Sequence, residues 1–98
     1  MTTFKAEVYE HQKRKDGTWN IKIRVTHNRS KRYLSTPYYV TRDDVTRAFK
    51  LKNQYYIDEC NKIISSYRSI VDSLGMASKD LSIDRIIDYI NRKTNRGF

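Results

Sequence analysis

The stretch Trp19 to His27, WNIKIRVTH, limits most narrowly what this chain can become. Trp19, Ile21, Ile23 and Val25 alternate with Asn20, Lys22, Arg24 and Thr26, and alternation of this kind marks a strand with one buried and one open face. Such a strand needs partners beside it and a cover over its apolar side. Residues 4 to 12 alternate too, with Phe4, Ala6 and Val8 against Lys5, Glu7, Tyr9 and His11, and predict a first strand. Asp16-Gly17 supplies the turn into the second strand, residues 18 to 27, because glycine takes the positive φ a hairpin needs. HNRS is a second polar turn, and KRYLSTPYYV opens a third strand with Leu34 and Thr36 inward and Tyr33 and Ser35 on the open face. Pro37 has no N–H to donate, so pairing is expected to end there.

The rest of the chain supplies the cover. Thr41 is placed to cap a helix over RDDVTRAF, with Asp43 and Asp44 in its first turn. A longer helix is predicted from Asn53 to Leu74, ended by Gly75. Its Tyr56, Cys60, Ile63, Tyr67, Ile70 and Leu74 recur at intervals of four and three, and Ile57, Ile64 and Val71 widen the stripe. Ser82 caps a last helix, IDRIIDYINRK, with Ile83, Ile86, Ile87 and Ile90 inward. The expected class is α+β: a three-stranded antiparallel meander packed against C-terminal helices, one of them long. Residues 1–50 form the sheet unit with the start of the helical region, and residues 51–98 the long helix and short terminal helix. A helix of that length is roughly 33 Å long, more than three strands can cover. The stretch near Ile70, Val71 and Leu74 is therefore expected to meet the last helix, another domain or another copy.

Enzyme chemistry finds little to work with. A chain of 98 residues holds one domain with a modest core. It has two histidines, no Asp, Glu, His and Cys cluster at ligand spacing and no glycine-rich phosphate loop, so a non-catalytic protein without metal or cofactor is expected. Both histidines fall in or beside expected turns and read as surface residues. Asp43-Asp44 and Asp58-Glu59 read as solvated helix positions. Cys60, among apolar neighbours, reads as a small buried hydrophobe. One thiol, no long apolar run and no signal-peptide core give the expectation of a soluble, cytoplasmic protein.

Charge is the feature that needs an explanation. The net charge is +9, which makes polyanions the default partner class. Residues 1–50 hold twelve Lys and Arg against five Asp and Glu, a net of +7, whereas residues 51–98 hold eight against six, a net of +2. On the second strand Asn20, Lys22, Arg24 and Thr26 stand in a row, about 6–7 Å apart. Lys5, Tyr9 and His11 flank them on one side, and Lys31, Tyr33 and Ser35 on the other. Lys13, Arg14 and Lys15 load one turn, and Arg29 the other, next to Lys31 and Arg32. A ribbon of strands can enter the DNA major groove, with short polar residues at base edges and Lys and Arg on phosphates. Ordinary solvated surface accounts for alternation and charge equally well, since cations are common on exposed strands. Membrane is disfavoured because no helix joins a basic face to a Trp, Phe and Leu face. RNA is disfavoured because the face lacks a dense stacking platform.

The order of particular residues separates these readings. Lys15, Gly17, Ile21, Arg24, Val25, Arg29, Lys31, Arg32, Tyr33, Ser35 and Thr36, followed by Val40 and Val45, resemble the arm-type DNA-binding domain at the N-terminus of tyrosine recombinases. These are the integrases of prophages and conjugative transposons. The long helix and LSIDRIIDYI resemble the connector such integrases place before a core-binding domain. The resemblance implies a sheet laid in the major groove of arm-type sites on double-stranded DNA, no catalytic residues in this part, and other integrase copies as partners in a multimer. Asn20, Lys22 and Arg24 would be central, supported by Tyr9, Thr26, Tyr33 and Ser35. Lys13, Arg14, Lys15, Arg29, Lys31 and Arg32 would hold phosphates. His11-Gln12-Lys13-Arg14 matches the His-x-x-Arg of the catalytic domain by letter only. Pro37 stands where many members have glycine, which leaves the exit of the third strand open. The competing reading is a protein-interaction or oligomerisation module that uses the apolar helix 53–74.

Overall fold

The computed structural model describes residues 2–94, so residues 1 and 95–98 of the two expected units lie outside the described residues. Three antiparallel strands, β1 (Thr2–Glu7), β2 (Trp19–His27) and β3 (Ser30–Val40), pair in the order β1-β2-β3. Two helices, α1 (Gln54–Asp72) and α2 (Ile83–Thr94), follow. The architecture is the expected α+β meander with helical cover. Trp19, Ile21, Ile23 and Val25 are buried to 5% exposure or less, so the alternation of β2 does divide inside from outside.

That parity runs one residue further than the surface reading of the histidines allowed. His27 falls on the inward side and is 1% exposed, which corrects its assignment to the surface. Its Nε2 lies 2.9 Å from the Leu81 carbonyl oxygen, which can only accept, so Nε2 carries the proton. Nδ1 then accepts from the Thr2 hydroxyl at 2.6 Å. One imidazole thus joins the start of β1, the end of β2 and the entry to α2. A buried polar ring is tolerated because both nitrogens are satisfied.

β1 ends sooner than its alternation suggests. The chain leaves the sheet after Glu7 and makes a 3₁₀ turn at Glu10–Gln12. The indole N–H of Trp19 donates to the Glu10 carbonyl at 3.0 Å and holds this turn against β2. At the other hairpin, Asn28 (φ 49°) and Arg29 (φ 71°) both take left-handed backbone. That combination makes a two-residue turn whose twist suits the flanking strands.

β3 also corrects an expectation, because pairing does not end at Pro37. It resumes with Asn20↔Tyr39 and Trp19↔Val40 after a bulge between Asn20 and Lys22. Pro37 sits inside the bulge, where no ladder donor is required. Buried Thr36 closes it: its hydroxyl donates to the Ile21 carbonyl at 2.8 Å and accepts from the Tyr38 N–H at 3.2 Å.

The helix expected over RDDVTRAF is only a 3₁₀ turn, Arg42–Asp44. Asp44 is the reason. Its carboxylate accepts from the Thr41 N–H at 3.0 Å and from the Asn53 amide at 2.8 Å, and its carbonyl accepts from the Lys52 N–H at 3.0 Å. These bonds fold residues 45–51 into a loop closed by the Val45↔Leu51 bridge. The Asn53 amide and Thr41 N–H hold the Asp44 carboxyl below its ordinary pKa.

α1 starts one residue after the expected Asn53, which caps it, Oδ1 accepting from the Tyr55 N–H at 3.0 Å. Cys60, Tyr67 and Val71 are its buried residues, and it packs across β1. Burial, then the nearby Glu59 charge, pushes the Cys60 thiol up to about 11, in keeping with a packing role. Gly75, at φ 59°, stops the helix run. The far end of α1 meets α2 and the 3₁₀ turn Gly75–Asp80. α2 buries Ile83, Ile86 and Ile90 and also reaches β3. The stripe of α1 is therefore covered largely by the chain's own elements.

Candidate nucleic-acid interface

The open face of the sheet is built in rows set by register: Thr3, Thr26 and Lys31; Lys5, Arg24 and Tyr33; Glu7, Lys22 and Ser35; then Asn20 and Tyr39. Both helices pack on the opposite side, so these rows look outward. Lys5, Lys22, Arg24 and Lys31 face a single carboxylate, Glu7. Three strands make a ribbon roughly 10 Å wide between outer backbones.

Arg24 is 31% exposed at its side chain, and its Nη1 lies 3.0 Å from Glu7 Oε1. The Tyr9 hydroxyl donates to the same oxygen at 3.1 Å. The Tyr9 ring packs edge-on against Tyr33, with centroids 5.5 Å apart. Burial and the Glu7 charge raise the Tyr9 pKa, which keeps the phenol protonated as a donor. Lys22 Nζ donates to Ser35 Oγ at 2.9 Å. Tyr9, His11, Gln12, Lys22 and Tyr33 line a shallow hollow of about 240 Å³ on this face.

Cations stand at both ends. Lys13, Arg14 and Lys15 are exposed in the turn that closes with Arg14 N–H donating to the Thr18 carbonyl at 2.7 Å. The Arg14 guanidinium lies 4.5 Å over the Tyr39 ring, and Lys13 lies 5.6 Å over Trp19. At the other end Arg29 and Lys31 are exposed beside the hairpin tip. Thr26 and Ser35 lie in the rows between.

Two expected site residues stand differently. Arg32 pairs in register with Val25, so it belongs to the helix side. There its Nε is 3.0 Å from Asp84 of α2, apart from the other cations expected to hold phosphates. The alternation that turns Leu34 and Thr36 inward puts Arg32 on the same side; its partner Asp84, far along the chain, is what the residue order does not show. Asn20 is on the open face, yet its amide nitrogen donates to the Thr36 carbonyl at 2.8 Å and the Tyr38 carbonyl at 3.0 Å. It clamps the bulge, and only Oδ1, buried and without a hydrogen bond, is left over.

Glu7 and Tyr39 were absent from the expected site. Alternation had already put Glu7 outward, but a lone acid among cations gave no signal until Arg24 was beside it. Tyr39 lies past Pro37, where the sequence predicts no further pairing, yet it pairs with Asn20.

Arg29 offers a test that separates binding from folding. At φ 71° an L side chain is strained by roughly 1 kcal/mol relative to glycine. Arg29→Gly is expected to leave thermal stability unchanged or slightly higher, while weakening duplex DNA binding several-fold. Calorimetry and fluorescence anisotropy on the same preparation check both halves.

Among the described residues, no group of three or more His, Cys, Asp or Glu could hold a metal ion, and no helix is long and apolar enough to cross a membrane. A family model described as the arm DNA-binding domain matches residues 8–87. No curated protein and no solved structure gives a match. The chain belongs to the arm DNA-binding domain family, a non-catalytic DNA-binding module found in tyrosine recombinases and integrases.

Proposed function

We propose that this arm DNA-binding domain reads arm-type sites by laying its open sheet face in the major groove, as the N-terminal part of a tyrosine recombinase. The observation that carries this reading is the open face itself. It is a ribbon bearing Lys5, Lys22, Arg24 and Lys31, with further cations at the turns on both ends. The major groove is about 12 Å wide and accepts such a ribbon. Arg24 and Lys22, in the central strand, approach base edges. Thr26, Ser35, Tyr33 and Tyr9 pack and bond around them. Lys13, Arg14, Lys15, Arg29 and Lys31 hold the phosphate rails. Copies of the recombinase bound at neighbouring arm sites would assemble on the DNA, and the protein would work in the cytoplasm.

The interaction-module reading asks α1 to offer its apolar stripe to another protein. Cys60, Tyr67 and Val71 are buried within this chain, which favours the DNA reading.

A duplex selected by the domain from a random library supplies the probe. With about six phosphates neutralised, log K should fall against log salt with a slope near −5, roughly a thousandfold loss from 50 to 200 mM. Methylation of guanine N7, which lies in the major groove, should interfere with binding. A flat salt dependence, or indifference to N7 methylation together with sensitivity in the minor groove, would overturn the proposal.

A further inference from the structure

The cationic face carries one acid where repulsion from DNA should be strongest. Glu7 sits in the same row as Lys22 and Ser35. Its Oε1 holds the Arg24 guanidinium at 3.0 Å and accepts the Tyr9 hydroxyl at 3.1 Å. Its side chain is 23% exposed, largely enclosed by these partners. Partly shielded, the pair can add to folding stability, but it also decides what the central guanidinium can reach. On a surface meant only to attract phosphate, a carboxylate bonded to the central arginine is counterproductive.

We infer that Glu7 is a specificity-determining residue, which sets Arg24 for a base edge and denies it to the phosphate backbone. This rests on the DNA reading proposed above. The physical argument concerns competition. A free guanidinium on a flexible stem takes the nearest phosphate, and that contact is the same on every sequence. Glu7 occupies Nη1 and fixes the fork, which leaves the remaining N–H groups to meet an acceptor pair such as guanine O6 and N7. The carboxylate also repels phosphates that approach the middle of the face, while Lys13, Lys15 and Arg29 at the ends remain available to them. Tyr9 holds the carboxylate in place through its hydroxyl, and Tyr33 braces the Tyr9 ring at 5.5 Å. Discrimination gained by penalising the wrong partner is a general route to specificity.

The test compares Glu7→Gln with the parent domain on two duplexes: one selected by the parent from a random library, and one of scrambled sequence. Glu7→Gln should bind the scrambled duplex about five- to tenfold tighter, with its salt slope steeper by about 1. On the selected duplex the loss of Arg24 positioning opposes that gain, so the ratio of selected to scrambled affinity should fall at least several-fold. Asp43→Asn, in the Arg42–Asp44 turn outside the rows of the face, makes the same change in net charge and should tighten both duplexes alike. Tyr9→Phe, which keeps the ring and removes the donor to Glu7, should lower the ratio in the same direction by a smaller factor. An equal change on both duplexes for Glu7→Gln, matching Asp43→Asn, would reduce Glu7 to a bulk charge and overturn the inference. So would no change on either duplex. If the parent selects no duplex and binds DNA without salt dependence, it is the DNA reading itself that fails.

Discussion

Ile86→Ala is expected to remove about 3–4 kcal/mol of stability, the range for truncating a fully buried isoleucine whose site cannot collapse. Ile86 is 0% exposed and shares one core with Ile23 and Val25 of β2. Because a domain of this size is stabilised by only about 5–15 kcal/mol, the loss should lower Tm by roughly 10–20 °C. It should also reach function, since α2 supports the inner face of the sheet whose outer face is proposed to meet DNA. Just below its own Tm the variant should lose DNA binding along with its cooperative unfolding transition, while at low temperature its affinity should stay near that of the parent. Thermal unfolding and anisotropy over a temperature series check this. A Tm within 3 °C of the parent would show that the α2 seam carries little of the core.

Arg24→Ala should have the largest effect on recognition. Loss of a bidentate contact to guanine corresponds to about 1–3 kcal/mol, so binding to a selected duplex should weaken about five- to 150-fold. Binding to scrambled DNA should weaken by only a few-fold, because Glu7 then stands unpaired among cations and contributes repulsion alone. Lys15→Ala should behave differently, weakening all duplexes alike and lowering the salt slope by about 1. The double variant Glu7→Gln, Arg24→Ala should recover part of the non-specific loss but none of the preference. If Arg24→Ala weakened both duplexes to the same degree, the arginine would be a phosphate contact and the central row would need another reader.

Much of this molecule is legible in its amino-acid sequence. The period-two pattern of β2 is a local property of extended backbone, so Trp19, Ile21, Ile23 and Val25 could be assigned inward without knowledge of their neighbours. The outward row of Lys22, Arg24 and Thr26 followed with them. The cap at Ser82 and the stop at Gly75 depend on groups within a few residues, and they too are readable. The order of residues from Lys15 to Thr36 pointed to the family that matches residues 8–87.

The remainder depended on which residues stand opposite each other. Folding put Arg32 against Asp84 of α2, although the sequence offered it as one more cation of a basic turn. The bulge at Thr36–Tyr38 carried pairing past Pro37, because the Thr36 hydroxyl and the Asn20 amide satisfy carbonyls and an N–H that a regular ladder would have paired. Asp44 turned a helical start into a loop by bonding to Asn53, nine residues away. His27 was drawn inside because Thr2 and Leu81, from opposite ends of the chain, supply partners for both ring nitrogens. Each is a long-range hydrogen bond or ion pair, and no periodicity within a strand or helix encodes it. By itself the sequence determined that this chain has a three-stranded sheet with a cationic outside, since side-chain parity and charge are local. Only the tertiary structure decided that Arg32 pairs with Asp84 and that Glu7 holds the central arginine, because folding joins residues whose pairing no local pattern encodes.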